Sequence, residues 1–419
     1  MTWPVMPIKS VAQVVTGNTP PKSNEENYGA DFPWVKPPEL GETVPIVSTA
    51  ESLSVRGAKQ ARLLPKDAVM VCCIGSIGRV GIAGTELATN QQINSVICGG
   101  ELNPRFAMYW FMRSTEMLTA AANSAVVPIL NKGNFEKLGV PLPPLSEQHR
   151  IVELLDQADA MRRLRREADA KAARILPMLF EKAFGNPFEA RWHSLPLGEV
   201  VTSMRNGTTA DQNTLGKGYP VTRIETISAG VINLRRVRHV DLTEEQAERW
   251  RLQKGDILFS HINSETHIGK TAIYEGEPTN LLHGMNLLLL RPDSEKVAPA
   301  YLFAVLNSPE VRAYYRSRCK RAVNQASLNQ KDISSLPVPV PPMGLQQKFS
   351  SSVGRFNAIF GNERVSTERL EDLFDVLLKK AFSGQLTAKW RQAHMQELLV
   401  EMQQQAKALN LPMPKEIAA

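Results

Sequence analysis

Hydrophobic positions along the chain fall into two long helical stripes, and the stripes repeat. From Ser146 to Phe184, the apolar residues Ile151, Leu154, Ala158, Met161, Ala168, Ala172, Ile175 and Leu179 recur at threes and fours, with one skipped turn at Arg165. From Gly344 to Phe382, the residues Phe349, Val353, Phe356, Phe360, Leu370, Phe374, Leu377 and Ala381 do the same. This spacing is the seam of a helix–helix contact, with charged residues on the other faces. Each run starts behind a proline pair, VPLPPL at 140–145 and VPVPPM at 338–343, through which a helix does not continue. Each closes on a near-identical phrase, EKAFG at 181–185 and KKAFSG at 379–384. Pro341 follows Pro143 by 198 residues, and Gln346 follows Gln148 and Phe382 follows Phe184 at the same shift. A helix over 146–184 spans roughly 58 Å at about 1.5 Å per residue, and Pro177 is expected to kink it near its end. Nothing local covers either stripe, so the two are expected to bury each other.

Between the stripes the pattern shifts to short strand-like segments punctuated by Gly and Pro, and these repeat as well. Trp192–Val200 echoes Trp3–Val11, and Tyr219–Ile227 echoes Phe32–Leu40. Leu252–Tyr274 echoes Leu64–Ala83, two strands around a turn, with Gly269 against Gly78. Asn286 is placed against Asn94, and Pro299–Pro309 against a helix at Pro104–Ser114. The pattern predicts an α+β chain of two pseudo-repeated mixed α/β domains, each followed by a long helix. The expected boundaries are 1–144, a helix at 145–186, 187–342, a helix at 343–387, and a tail at 388–419. Within the tail, Leu398, Met402 and Leu409 fit docking to a partner or to the N-terminal region; a frayed end fits the same pattern.

Composition narrows the function classes. Of the 419 residues, 43% are hydrophobic and 22% charged, ordinary for a globular protein. No apolar run approaches the roughly 20 residues of a membrane span. Cys72, Cys73, Cys98 and Cys319 form no CxxC pair, and reduced thiols in a cytoplasm are the simplest expectation. The net charge of +7 favours a polyanionic partner. His261, His267 and His283 have no metal-ligand spacing, and no metal site is expected. Gly269-Lys270-Thr271 imitates the end of a phosphate loop, but Ser264 stands where the loop needs glycine. GxGxxG, GxSxG, HExxH and the base-clamping N-P-P-Y/F are all missing, and no catalytic residue is singled out. A binding and scaffolding subunit is favoured over the alternative, a self-contained DNA methyltransferase or nuclease.

Candidate nucleic-acid contacts follow from residue type. Arg56, Lys59 and Arg62 sit at threefold spacing, suited to phosphates and equally to a solvated face. Gln91, Gln92 and Asn94 carry the paired donor and acceptor that read adenine, or serve a polar turn. Arg235, Arg236 and Arg238 form one basic cluster; Arg316, Arg318, Lys320 and Arg321, behind Tyr314 and Tyr315, form another. Lys36, Arg79, Arg223, His261, His267, Lys270, His283 and Asn286 complete the set.

The phrase PLPPLSEQ at 141–148, the KAF-G ending, LPKDAVMV at 64–71, LQKGDILFS at 252–260 and NQQI at 90–93 together resemble the specificity (S) subunit of type I restriction–modification systems. The resemblance covers about 1–387, and the helix phrases are its specific part. It implies two target-recognition domains, each binding half of a split, asymmetric DNA site. It implies that the two long helices pair as an antiparallel coiled coil and act as a ruler, limiting the gap to about 17 base pairs at about 3.4 Å each. The expected partners are duplex DNA, two methylating subunits carrying S-adenosylmethionine, and two motor-nuclease subunits using ATP and Mg. No cofactor is expected in this chain.

Overall fold

The computed structural model describes residues 3–122, 127–228, 230–322, 325–360 and 363–411. The chain divides into two compact units, one of residues 1–166 with 365–419 and the other of 167–364. The helices that matter below are α1 (Pro104–Arg113), α2 (Leu145–Phe184), α3 (Pro299–Asn307), α4 (Met343–Phe360), α5 (Glu363–Phe382), α6 (Ala388–Ala393) and α7 (Met395–Ala408). The strands are β1 (Ala12–Thr16), β2 (Val69–Cys72), β3 (Val80–Ile82) and β4 (Ile93–Cys98) in the first unit. In the second they are β5 (Val201–Asn206), β6 (Ile257–Phe259), β7 (Thr271–Ile273) and β8 (Leu288–Pro292).

The repeat in the sequence is a repeat in topology. The first unit holds an antiparallel sheet in the order β1-β4-β2-β3, and the second an antiparallel sheet in the order β5-β8-β6-β7. Each unit closes with a short antiparallel ribbon leading into the prolines: Met6 pairs with Val140, and Leu195 with Val338. In the first unit α1 lies over this sheet, with Phe106, Met108, Tyr109 and Phe111 buried. In the second, α3 buries Tyr301, Leu302, Val305 and Leu306. Both helices start on a proline, whose missing N–H is not needed there.

One side chain per unit joins this scaffold to the long helices. Gln148 is fully buried in the first turn of α2; its Oε1 accepts from Asn103 N at 2.8 Å, while Nε2 donates to Glu101 O at 2.9 Å and Pro143 O at 2.8 Å. Gln346, in the first turn of α4, repeats the pattern with Ala298 N at 2.8 Å, Lys296 O at 3.1 Å and Pro341 O at 2.8 Å. A primary amide has the donors and the acceptor to serve all three backbone groups.

Among the described residues both stripes are covered at their ends, and the first is open in its middle. In the first unit Ile151, Val152 and Leu155 of α2 share a core with Phe374, Leu378 and Ala381 of α5. Arg162 pairs with Glu371 at 2.8 Å and lies 3.9 Å from the Phe374 ring centre, while Glu147 meets Thr387; α2 and α5 therefore run antiparallel. In the second unit Phe180 and Phe184 of α2 pack on Phe349 of α4 with ring centres 5.8 and 5.6 Å apart. Expected seam residues Met161, Ile175 and Leu179 are exposed instead. The aromatic pair one position on, Phe180 and Phe184, supplies more area against Tyr301 and Trp192 and sets the rotation of the helix. Pro177 lies inside α2, which continues to Phe184. The second run is carried by α4 and α5, with residues 361 and 362 outside the described residues.

The tail packs on the first unit. Buried Glu147 receives Trp3 Nε1 at 3.0 Å, Thr387 Oγ1 at 2.6 Å and Arg391 Nε at 2.7 Å. Glu401 accepts from Ser146 N at 3.1 Å and Ser146 Oγ at 2.9 Å at the start of α2, where a negative charge suits the helix dipole. Leu398 is buried and Leu409 lies against the core. Of the two sequence expectations for the tail, docking to its own chain is the one observed.

Replacing Gln148 by Leu takes the partner from Asn103 N–H and Glu101 O and leaves Pro143 O only the 3.4 Å bond from Gln405 Nε2, at about 1–3 kcal/mol for each orphaned group before relaxation. The expected loss is about 3 kcal/mol in the stability of the first unit, and Gln346→Leu should do the same to the second. Chemical denaturation followed by circular dichroism checks this; a loss below about 1 kcal/mol in both variants would mean that the amides are not what joins scaffold to helix.

Candidate nucleic-acid interface

In each unit the strand tips that could meet a ligand are gathered where two chain segments cross. In the first unit Gly17, just after β1, passes so close to residues 89 and 90 that an added Cβ would lie 2.2 Å from Asn90 O. In the second, Gly207 follows β5 and its Cβ would lie 2.3 Å from Gly284 O. Only glycine tolerates either approach. The ladders fix the correspondence: Thr16 pairs with Asn94, and Asn206 with Leu288. Leu288 therefore stands where Asn94 stands, and Asn286 corresponds to Gln92. The sequence placement of Asn286 against Asn94 is thus two residues off; it matched a letter rather than a register.

A basic residue enters each crossing from the same direction. Phe32–Val35 runs parallel to Leu87–Thr89, so Lys36 emerges beside Asn90. Val221 makes a parallel bridge to Leu282, so Arg223 emerges beside Gly284. Both basic residues open a short 3₁₀ turn, and in each the side chain three residues on accepts from the backbone N–H, Glu39 from Lys36 and Thr226 from Arg223. Lys36 also pairs with Glu51 and sits over the Trp34 ring, and Arg223 lies 3.4 Å from Glu225. The Lys36 ammonium, as hydrogen-bond donor, holds the Glu51 carboxyl below its usual range.

Around the first crossing the structure collects several expected contacts. Arg62 Nη1 donates to Thr16 O at 2.7 Å, Asn18 Oδ1 accepts from Arg62 N at 3.0 Å, and Thr19 Oγ1 donates to Gln91 Oε1. Gln91 is exposed and Gln92 half-buried. Lys59 is exposed nearby on the same turn-rich segment, and Arg56 pairs with Glu26. Arg79 is spent on structure, donating to the carbonyls of Pro38 and Leu40.

Two expected base contacts belong to the interior. Asn94 is 3% exposed, and its Oδ1 accepts from Thr16 Oγ1 at 2.7 Å. His283 is fully buried with Nε2 3.0 Å from Leu287 O. A carbonyl only accepts, so Nε2 carries the proton. From these positions neither reaches a base edge. His261 is 9% exposed, while His267 lies on the surface and Lys270 is half-buried. Of the remaining basic residues, Arg235, Arg236, Arg316, Arg318, Lys320 and Arg321 are exposed, and Arg238 is half-buried on a strand. Arg318 stacks 3.7 Å from the Tyr314 ring centre, and Arg321 pairs with Glu265 at 2.8 Å. Among the described residues no helix is long and apolar enough to cross a membrane.

In the second unit the crossing opens into a cleft of about 280 Å³ lined by Thr208, Thr209, Arg223, Glu225, Met285 and Asn286, among others. Met285 is 44% exposed, and Asn286 adopts the left-handed φ of 70°. The sequence reading missed Met285, because a methionine in a leucine-rich segment reads as core; its signals were its neighbours Gly284 and Asn286.

A duplicated α+β scaffold, with unlike polar and basic tips on a shared frame and a long helix after each copy, is the architecture of a two-headed recognition protein. The family model for the type I restriction modification DNA specificity domain matches residues 1–171 and 189–383. The chain belongs to that family, as a specificity subunit of a type I restriction–modification system. It is 44% identical over 193 residues to a putative type I restriction enzyme MjaX specificity subunit from Methanocaldococcus jannaschii, a match spanning 46% of this chain and 45% of that one. It is 25% identical to the EcoKI specificity subunit of Escherichia coli K12, over 93% of this chain and 90% of the relative. A crystal structure of the S subunit from M. genitalium shares the fold, with a TM-score of 0.55 at 18% identity, covering 91% of this chain and 96% of that one. Fold class and specificity role agree with the sequence expectation.

Burial, with smaller contributions from Arg205 and His261, pushes the His283 imidazole down to about 4, against an ordinary value near 6.5. Above pH 6.5 the ring is neutral folded or unfolded. As pH falls from 6.5 toward 4 only the unfolded chain takes the proton, so stability is lost across that window and levels off below it. The loss attributable to His283 is about 3 kcal/mol. Unfolding free energies of wild type and His283→Gln between pH 7 and 4 measure it; equal slopes would show that His283 does not titrate this way.

Proposed function

We propose that each unit reads one half of a split, asymmetric DNA site, while the chain itself carries out no chemistry. The observation behind this reading is the repeat: one sheet order, one buried glutamine and one glycine crossing occur twice, with different side chains at the tips. Duplex DNA has local twofold geometry, and two pseudo-equivalent readers with unlike tips suit two unlike half-sites. Exposed Arg and Lys around the tips would hold phosphates and set register, and the tips would choose bases. The net charge of +7 favours the same partner.

Methylation would come from two docked methylating subunits that bind S-adenosylmethionine, and cleavage from two motor-nuclease subunits using ATP and Mg, in the cytoplasm. Exposed apolar residues on the long helices, Met161 and Leu164 among them, offer surface for such docking.

Exchanging residues 1–144 for another domain of the class should change one half-site and leave the other intact, as read by sequencing methylated DNA from a host carrying the complete system. Four residues inserted near Arg165 should shift the gap by about two base pairs, at about 1.5 Å per helical residue and 3.4 Å per pair, with both half-site sequences kept. A fixed gap would sink the ruler; a change in both half-sites on swapping one domain would sink the division of labour. No binding of duplex DNA by the assembled complex in a gel shift at low salt would remove the DNA reading.

A further inference from the structure

The two crossings are the same site built twice. Gly17 and Gly207 make the same close approach, Thr19 corresponds to Thr209, Lys36 to Arg223, Gln91 to Met285, and Gln92 to Asn286. Backbone and basic residue are retained; the pair after the crossing is changed. We infer that residues 91–92 and 285–286 are the equivalent base-discriminating positions of the two units, Gln91 reading a purine through its amide and Met285 reading a thymine through its methyl group. This rests on the DNA-specificity reading and names which side chains carry it.

The chemistry follows from what each position presents. Gln91 is exposed, and its Oε1 already accepts from Thr19 Oγ1, which leaves the Nε2 donors for a ligand. An amide held in this way suits the N7 acceptor of a purine, with Gln92 beside it. In the second unit the same position is an exposed thioether in a cleft whose other members include Thr208, Thr209, Asp211, Arg223, Glu225 and Asn286, with Ala210 and Ile224 beside them. An apolar tip on a polar rim has one distinctive feature to recognise in the major groove, the thymine methyl. The left-handed φ of Asn286 turns the chain directly after Met285, and a non-glycine residue holds that conformation at a cost. Arg223 and Lys36 stand at the same place in each unit, where a phosphate contact would set the register of both readings.

The test uses the full chain assembled with its methylating partner. Wild type, Met285→Gln, Met285→Leu and Gln91→Met are each used to select bound duplexes from a randomised pool. Met285→Gln should change the preferred base at one pair of one half-site, and Met285→Leu, which stays apolar, should keep it. Gln91→Met should change one pair of the other half-site. At the pair governed by Met285, uracil in place of thymine should weaken wild type about fourfold, the worth of one buried methyl, and leave Met285→Gln unaffected. Unchanged motifs in assembled Met285→Gln and Gln91→Met complexes would overturn the assignment, as would a governed pair without thymine. A wild-type complex that selects no motif at all would instead bring down the DNA-specificity reading beneath it.

Discussion

Two buried amides hold the architecture together. Gln148 and Gln346 each sit one turn into a long helix and satisfy three backbone groups: two in the loop before the packed helix of the domain and one in the proline entry. A buried backbone group without a partner costs as much as a lost hydrogen bond, so the loop, the prolines and the helix start are fixed together or not at all. Everything beyond that joint inherits its direction, including the sheet through α1 or α3 and the strand tips through the sheet.

Much of this was legible in the sequence because it is local. Proline pairs stop a chain from entering a helix early, and α2 starts at Leu145, directly behind Pro143 and Pro144. Pro104 and Pro299 mark helix starts for the same reason. Other features depend on partners that spacing does not reveal. A stripe at threes and fours is ambiguous by one position, and only Phe349 and Tyr301 decide that Phe180 and Phe184 go inside rather than Ile175 and Leu179. The tail's anchor joins Glu147 to Arg391, a pairing of residues 244 positions apart that no periodicity announces.

The candidate site was legible in kind and misread in detail. Gln91, Gln92, Lys36 and Arg223 were picked by residue type and lie at the crossings. Asn94 and His283 were picked on the same grounds and lie in the core, because an amide or imidazole serves a buried carbonyl or hydroxyl as well as it serves a base. What separates the two groups is strand register, fixed here by glycines that pass within contact of a neighbouring carbonyl. Met285 was overlooked for the converse reason: an apolar letter carries no sign of exposure.

The glutamine joint also separates two responses to ionic strength. Neutral amides bonded to backbone groups feel no Debye screening, whereas arginines and lysines gripping phosphates release counterions and weaken steeply as salt rises. A rise in salt that weakens such phosphate contacts therefore leaves the two glutamine joints untouched.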